Sequence, residues 1–419
     1  MFRIARIRNE RRQSVKTSIL FSQKCIGGLY LPNRFIRSAT YETMATDRGE
    51  VTEELLDLYD TLARGGIGLI ITGHAFVHPR GQAGNRQLGI YDDFLIPGLH
   101  RLVDNTHRHN SRIFVQLAHA GSQIKPSVKV TPLGPSRIPN PITGRVPQEA
   151  TETEIHEVID AFGEATHRAK KAGFDGIHIH AANGYLISQF NSPFSNRRID
   201  NWGGDAQRRW RLAKKIYLAV REVAGPDVPV TMKLGVADAI HGGLQEPEGV
   251  SQAAQLERLG LDGLEVSCGV MAGSYGTYSC RQYVGVGPRQ AVRDHLYHRL
   301  FSKPVPEAYF LQYARTAKQK LQIPVILVGG LRSTMRMRQV LADGDADFVA
   351  MSRPFVREPD LVQLIQQGRR KITACTSCNL CLLHAGIDPL RCWRQSWRTL
   401  LSHIWGYYVK DFISRRKLT

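Results

Sequence analysis

The chain has 419 residues, 42% of them hydrophobic, enough to bury a large core as one big domain or two. Its formal net charge of +19 sits mostly at the ends: residues 1–24 hold seven Lys/Arg against one Glu, and residues 368–419 hold ten against two Asp. No nucleic-acid-binding motif accompanies that charge, so it reads as solvated tails rather than a polyanion site. No run approaches the roughly 18–20 apolar residues of a spanning helix. The Arg-rich first 20 residues lack the apolar stretch of a secretory signal, so the expected setting is the cytoplasm. Three of the seven cysteines, Cys25, Cys268 and Cys280, are scattered and four cluster near the C-terminus, which is no disulfide framework.

In chain order, short β-branched runs recur, each followed by a stretch of helical period. They are RFIRSAT (34–40), GLIITG (68–73), RIFVQL (112–117), GIHIHA (176–181), PVTMKLG (229–235), GLEVSCG (263–269), PVILVGG (324–330) and FVAMSRP (348–354). Apolar spacing and a glycine stop predict a helix over 53–66, and another is expected from 152 to 173. Eight strands alternating with helices predict an α/β fold, a TIM (β/α)8 barrel with a short cysteine-containing C-terminal extension. The expected organisation is a basic N-terminal extension (1–24), the barrel (25–370), and a Cys-rich, basic and aromatic tail (371–419). Two long excursions, 121–151 and 269–306, are expected over the active face, because loops this long in a compact fold are usually functional or disordered.

In such a barrel the loops after the strands build the site. The strand ends here offer Thr40, Gly73, Gln116, His180, Lys233, Gly329 with Gly330, and Ser352 with Arg353. Polar or glycine residues at the ends of apolar strands are not a core-packing pattern. Gly329 and Gly330 let an anion approach the backbone, and Arg353 adds a bidentate charge, which suits a phosphate after the last two strands; a tight turn with a surface arginine is the alternative. An unpartnered Gln116 amide inside a strand costs about 1–3 kcal/mol unless a ligand or a neighbouring strand satisfies it. Lys233 poses the same problem more sharply, since a cation pointing into a barrel needs an anionic or acceptor partner.

Taken in order, NRFIRSATYE, GGIGLIITG, QLGIYDD, QLAHAG, IHAANGYLISQF with SPFSNRRIDNWGG, VTMKLG, ILVGG and VAMSRPFVREPDL resemble the Old Yellow Enzyme family, including the barrel of 2,4-dienoyl-CoA reductases. The resemblance spans about residues 20–375. It implies FMN held noncovalently, reduced by NADH or NADPH and oxidised by an activated alkene such as an enone or enoate. It further implies that Ser38, Ala39 and Thr40 run beside the isoalloxazine and that Gly73 allows close ring approach. Gln116 would bond the pyrimidine edge, Lys233 would sit at N1/O2, and Gly329, Gly330, Ser352 and Arg353 would bind the phosphate. His180 and Asn183 would hold the substrate carbonyl oxygen, and Tyr185 would protonate the α-carbon, a role that suits a phenol still protonated at neutral pH.

His178 and His180 share a strand face, a spacing that also suits zinc. The remaining strand ends lack the His, Asp or Glu ligands a metal hydrolase needs, so His178 is expected to be a hydrogen-bonded core histidine. A rival from another class is a flavin-binding electron-transfer component that has lost alkene reduction and meets a partner through its C-terminal tail. Cys375, Cys378, Cys381 and Cys392 suit an iron-sulfur cluster or zinc, with free thiols as the alternative. Dienoyl-CoA reductases carry a related set for a 4Fe-4S cluster; here the sequence runs only 27 residues past Cys392, so relay into a further domain is not expected. The basic aromatic stretch from Ser396 is expected to pack on the barrel rather than on a membrane. Neither nucleotide choice, substrate identity nor oligomeric state follows from the sequence.

Overall fold

A computed structural model describes residues 19–271 and 306–396, and beyond them 398, 399, 401 and 405. The basic segment 1–18, most of the long excursion 269–306 and most of the aromatic tail lie outside the described residues. Eight parallel strands close a barrel in sequence order: β1 (Phe35–Arg37), β2 (Leu69–Phe76), β3 (Arg112–Ala118), β4 (Gly176–Ala181), β5 (Val230–Ala239), β6 (Gly263–Met271), β7 (Val325–Val328) and β8 (Phe348–Met351). Val349 of β8 pairs with Phe35 of β1 and completes the ring. All eight predicted strands are present, and helices follow them as the βα alternation requires.

Both helices read from periodicity form, over Glu53–Arg64 and Glu152–Lys171. Their starts are fixed by side chains. Thr52 Oγ1 accepts the Leu55 N–H, and Thr151 with Glu154 forms a reciprocal capping box. The fold begins earlier than residue 25. Leu20 is fully buried, and the hairpin Lys24–Ile26/Leu29–Leu31 plugs the N-terminal mouth, packing Ile26 and Leu31 against Ile36, Leu69, Ile71, Phe114, Ile326 and Phe348. Those strands expose apolar ends that must be covered, so residues 19–24 belong to the barrel and not to a solvated extension.

Gly73 packs against a buried polar cluster. Its N–H donates to Glu42 Oε1 and Tyr59 Oη, both at 3.0 Å, and Glu42 Oε1 also accepts from Arg37 Nη2 and Tyr59 Oη at 2.8 Å. A Cβ at Gly73 would lie 1.8 Å from Glu42 Oε2 and 2.7 Å from the Thr40 carbonyl. The close approach made possible here is that of a buried carboxylate. Replacement of Gly73 by alanine is expected to cost about 3 kcal/mol, the upper range for overpacking, read as a lowered urea midpoint; an unchanged midpoint would show that the Arg37–Glu42–Tyr59 cluster yields freely.

Candidate active site

The apolar plug fills one end of the barrel, a polar layer crosses the middle, and a cavity of about 510 Å³ opens beyond the C-terminal strand ends. The polar layer is ordered by register. His180 of β4 pairs with Lys233 of β5, and Lys233 with Glu265 of β6, so three inward side chains meet at one level. Lys233 Nζ lies 3.0 Å from Glu265 Oε1 and donates to Ser38 Oγ at 3.0 Å, while Ser38 Oγ donates to the same carboxylate oxygen at 2.6 Å. The other oxygen, Oε2, accepts from His178 Nε2 at 3.0 Å. Burial pushes the Glu265 carboxyl up, but the Lys233 charge and the His178 hydrogen bond outweigh it and hold the group well below its usual range.

The anion expected opposite Lys233 is therefore supplied by the protein. Glu265 stands in the middle of an apolar strand, in the same parity as Ser267, and a buried carboxylate there demanded a cation; that pairing with Lys233 was the overlooked signal. Ser38 is tied into this network and does not reach the cavity wall, unlike Ala39 and Thr40. Thr40 Oγ1 is 2.7 Å from Ser352 Oγ, joining β1 to the turn after β8. His178 is the hydrogen-bonded core histidine, held also by Thr231 Oγ1 at 2.7 Å.

His180, Asn183 and Tyr185 come together on the cavity wall. The His180 and Tyr185 ring centroids are 4.6 Å apart. Burial, then the nearby His74 and Lys233, hold His180 neutral, with its pKa well below the ordinary value. Asn183 adopts a left-handed φ of 56°, which turns the chain out of β4, and its Oδ1 accepts from Ser267 Oγ at 3.2 Å. That bond leaves the Asn183 NH2 as the donor end of the amide.

His74 lies past the apolar run 68–73 that marks β2 in the sequence, because the strand continues beyond Gly73 to Phe76. Its tautomer is fixed by neighbours. The Ala83 N–H donates to Gln87 Oε1 at 2.6 Å, so the other end of that amide is the NH2, which donates to the His74 carbonyl at 2.8 Å and to His74 Nδ1 at 2.5 Å. Burial lowers the His74 pKa to about 4, so the ring is neutral and its one proton lies on Nε2. Nε2 is 3.2 Å from Tyr185 Oη, hence His74 donates and the phenolic oxygen accepts.

The remaining wall fits a flavin mononucleotide on its chemistry. Gln116 Nε2 and His180 Nδ1 are buried without a hydrogen-bond partner, and both side chains line the cavity. At the far end, Gly329 and Gly330 have φ of 112° and 73°, and their Cβ positions would fall 2.5 and 2.8 Å from the Tyr309 ring. Only glycine turns the chain so tightly there. Ser352, Arg353 and Arg332 complete this end.

Cys375, Cys378, Cys381 and Cys392 line a second, smaller cavity of about 150 Å³ with Arg353, Arg357, Arg394 and Trp393. Arg357 Nη1 lies 3.4 Å from Cys392 Sγ, and burial pushes the Cys381 thiol up to about 12. Among the described residues, no three His, Cys, Asp or Glu side chains converge on one ion position. Arg353 lines both cavities, and Ser377, Leu382 and Ala385 of the cysteine-bearing segment form part of the larger one.

The model of the NADH:flavin oxidoreductase / NADH oxidase family matches residues 20–275 and 293–371. The NADH oxidase of Thermoanaerobacter brockii is 34% identical over 365 residues, 86% of this chain and 53% of that protein, so the chain spans about half the length of this relative. The NADPH dehydrogenase of Geobacillus sp. strain WCH70 is 34% identical over 343 residues, 82% of this chain and 92% of that protein. A solved 2-naphthoyl-CoA reductase superposes with a TM-score of 0.80 at 24% identity, covering 92% of this chain and 57% of that one, a likeness of fold. The chain therefore belongs to the NADH:flavin oxidoreductase / NADH oxidase family, the Old Yellow Enzyme family of FMN-dependent oxidoreductases.

Proposed function

We propose that the protein takes hydride from NADH or NADPH and reduces the activated C=C bond of an α,β-unsaturated carbonyl compound. The observation that carries the reading is that Gln116 and His180, whose Nε2 and Nδ1 atoms are buried without a hydrogen-bond partner among the described residues, line one cavity with Tyr185 beside His180. Ala39, Thr40, Gln116 and Lys233 would hold the isoalloxazine of FMN, and Gly329, Gly330, Ser352 and Arg353 its phosphate. When bound, FMN supplies the hydride chemistry. The chain's own residues do the rest. His180 and the Asn183 NH2 donate to the substrate carbonyl oxygen and so stabilise the charge that builds there, the logic of an oxyanion hole. Tyr185 gives its proton to the α-carbon, and the His74 Nε2–H, already aimed at the phenolic oxygen, stabilises the phenolate that remains. Because Gln87 fixes the tautomer, no proton has to move for His74 to act.

Purified protein is expected to be yellow, to bleach with NADH or NADPH without oxygen, and to recover its colour with an enone. A preparation that neither holds nor takes up FMN would sink the reading. Tyr185→Phe should lower enone turnover by roughly 10²–10⁴-fold, the usual contribution of a positioned acid, with flavin reduction intact. Equal turnover would remove Tyr185 from the chemistry, and no enone turnover by the native protein would favour an electron-transfer component.

His74→Leu should lower turnover by roughly 10–100-fold, the worth of one charge-assisted hydrogen bond. It should also raise the alkaline limit of the rate profile, because an unsupported phenolate forms less readily. His74→Gln, which keeps a donor, should retain most of the rate. A loss of equal size in both variants would point to packing instead.

The four cysteines are proposed to hold a 4Fe-4S cluster. All four line one cavity, and three arginines there would offset thiolate charge. Anaerobically prepared protein should contain iron and acid-labile sulfide in equal amounts, lost in Cys378→Ser. Iron-free protein after anaerobic reconstitution would leave the cysteines as plain thiols.

A further inference from the structure

The cavity wall carries four cations, Lys125, Lys233, Arg332 and Arg353, and among the described residues it carries no Asp or Glu. Three of the four have partners. Lys233 is paired with Glu265, Arg353 donates to Asn379 Oδ1, and Arg332 Nε lies 3.9 Å from Glu307. Lys125 differs. It comes from the long loop after β3, and its ammonium lies 5.5 Å from the centroid of the Tyr41 ring. A Cβ on Gly386 would come within 2.5 Å of Nζ, so the side chain is pinned between Tyr41 and the cysteine-bearing segment. Burial lowers its pKa, to about 8, with no carboxylate or hydrogen bond among the described residues offsetting the cost, so it remains mostly charged at neutral pH.

Its place relative to the proposed chemistry is set by a row of rings. Tyr41 is 5.1 Å from His74 between centroids, and His74 is 5.3 Å from Tyr185. Lys125 therefore lies against Tyr41, one ring removed from His74, whose own neighbours are Tyr185 and, at 6.2 Å, His180. An anion bound by Lys125 is not the carbonyl held by His180 and Asn183; it is a second group on the same molecule. A desolvated ammonium on a wall without carboxylates discriminates strongly for such a group, because a neutral substrate leaves the charge uncompensated.

Resting on the ene-reductase reading above, we propose that Lys125 selects, as the oxidising substrate, an unsaturated carbonyl compound that bears a second, anionic group, a carboxylate a few bonds from the alkene. Gln123, Ile142 and Thr143 of the same loop also line the cavity and supply a polar and apolar surround.

The test is a paired comparison on the FMN-loaded protein, using a keto-acid enone and its methyl ester as acceptors and both NADH and NADPH as donors. Wild-type protein should prefer the carboxylate form at least tenfold in kcat/KM, mainly through KM. Lys125→Met should lose at least tenfold more on the carboxylate than on the ester, and Lys125→Arg should recover part of the preference. Equal losses on acid and ester overturn the proposal. A loss that follows NADPH and spares NADH, whichever acceptor is used, also overturns it, because Lys125 then reads the donor's phosphate. If wild-type protein reduces neither acceptor, the ene-reductase reading fails separately. Calorimetric titration with the keto acid then decides on binding alone: weakening of tenfold or more in Lys125→Met supports the anion site, and unchanged affinity refutes it.

Discussion

A carboxylate with no exposure to water, Glu265, sits in the middle of the barrel, and the rest of the site is arranged around it. A buried charge is tolerated only when it is paired and hydrogen-bonded, and removing one partner of such a pair typically costs about 3–5 kcal/mol. Glu265 meets the condition with a different partner on each side: Lys233 and Ser38 on one oxygen, His178 on the other. Those partners come from β5, the end of β1 and β4, so a single side chain fixes the relative heights of strands on opposite sides of the ring. The lysine and the carboxylate cancel, and the floor of the cavity is polar without being charged overall.

The histidines follow the same economy. His178, His180 and His74 are all buried, and burial holds each below its ordinary pKa, so each is neutral and each has one donor and one acceptor nitrogen. Where a partner accepts only, as Glu265 does, the proton is on the facing nitrogen. Where a partner donates, as Gln87 does to His74, the proton is on the other. Direction is thus written into the site by amides and carboxylates that take no part in bond making.

Much of this was legible in the sequence and some was not. Strand number, order and spacing were carried by β-branched runs with helical stretches between them, a signal that depends only on local periodicity. His180, Asn183 and Tyr185 could be placed because they follow one strand end. Strand position alone says nothing of the contacts Ser38 and Gly73 make with Glu265 and Glu42, one 227 and the other 31 residues away. Such pairings have no local signature. Glu265 and Lys233 each stood out as a charge in an apolar strand, and only the closed ring makes them neighbours. His74 was missed because a glycine looked like the end of a strand and was instead a gap cut for a carboxylate.

The cysteine-bearing segment gives the cavity part of its wall, and it is fastened to the first strand's loop: the Gly386 N–H donates to Thr43 Oγ1 at 2.7 Å and the Leu390 N–H to the Glu42 carbonyl at 2.8 Å. The first of these bonds joins positions 343 residues apart. Closing so long a loop costs little more entropy than closing one half its length, but it cannot happen until both ends exist. During synthesis the residues that would face FMN and substrate emerge first, and the wall that encloses them emerges after every barrel strand. The pocket is therefore a late product of folding, and a chain cut short before residue 377 retains all eight strands yet lacks one side of its own active site.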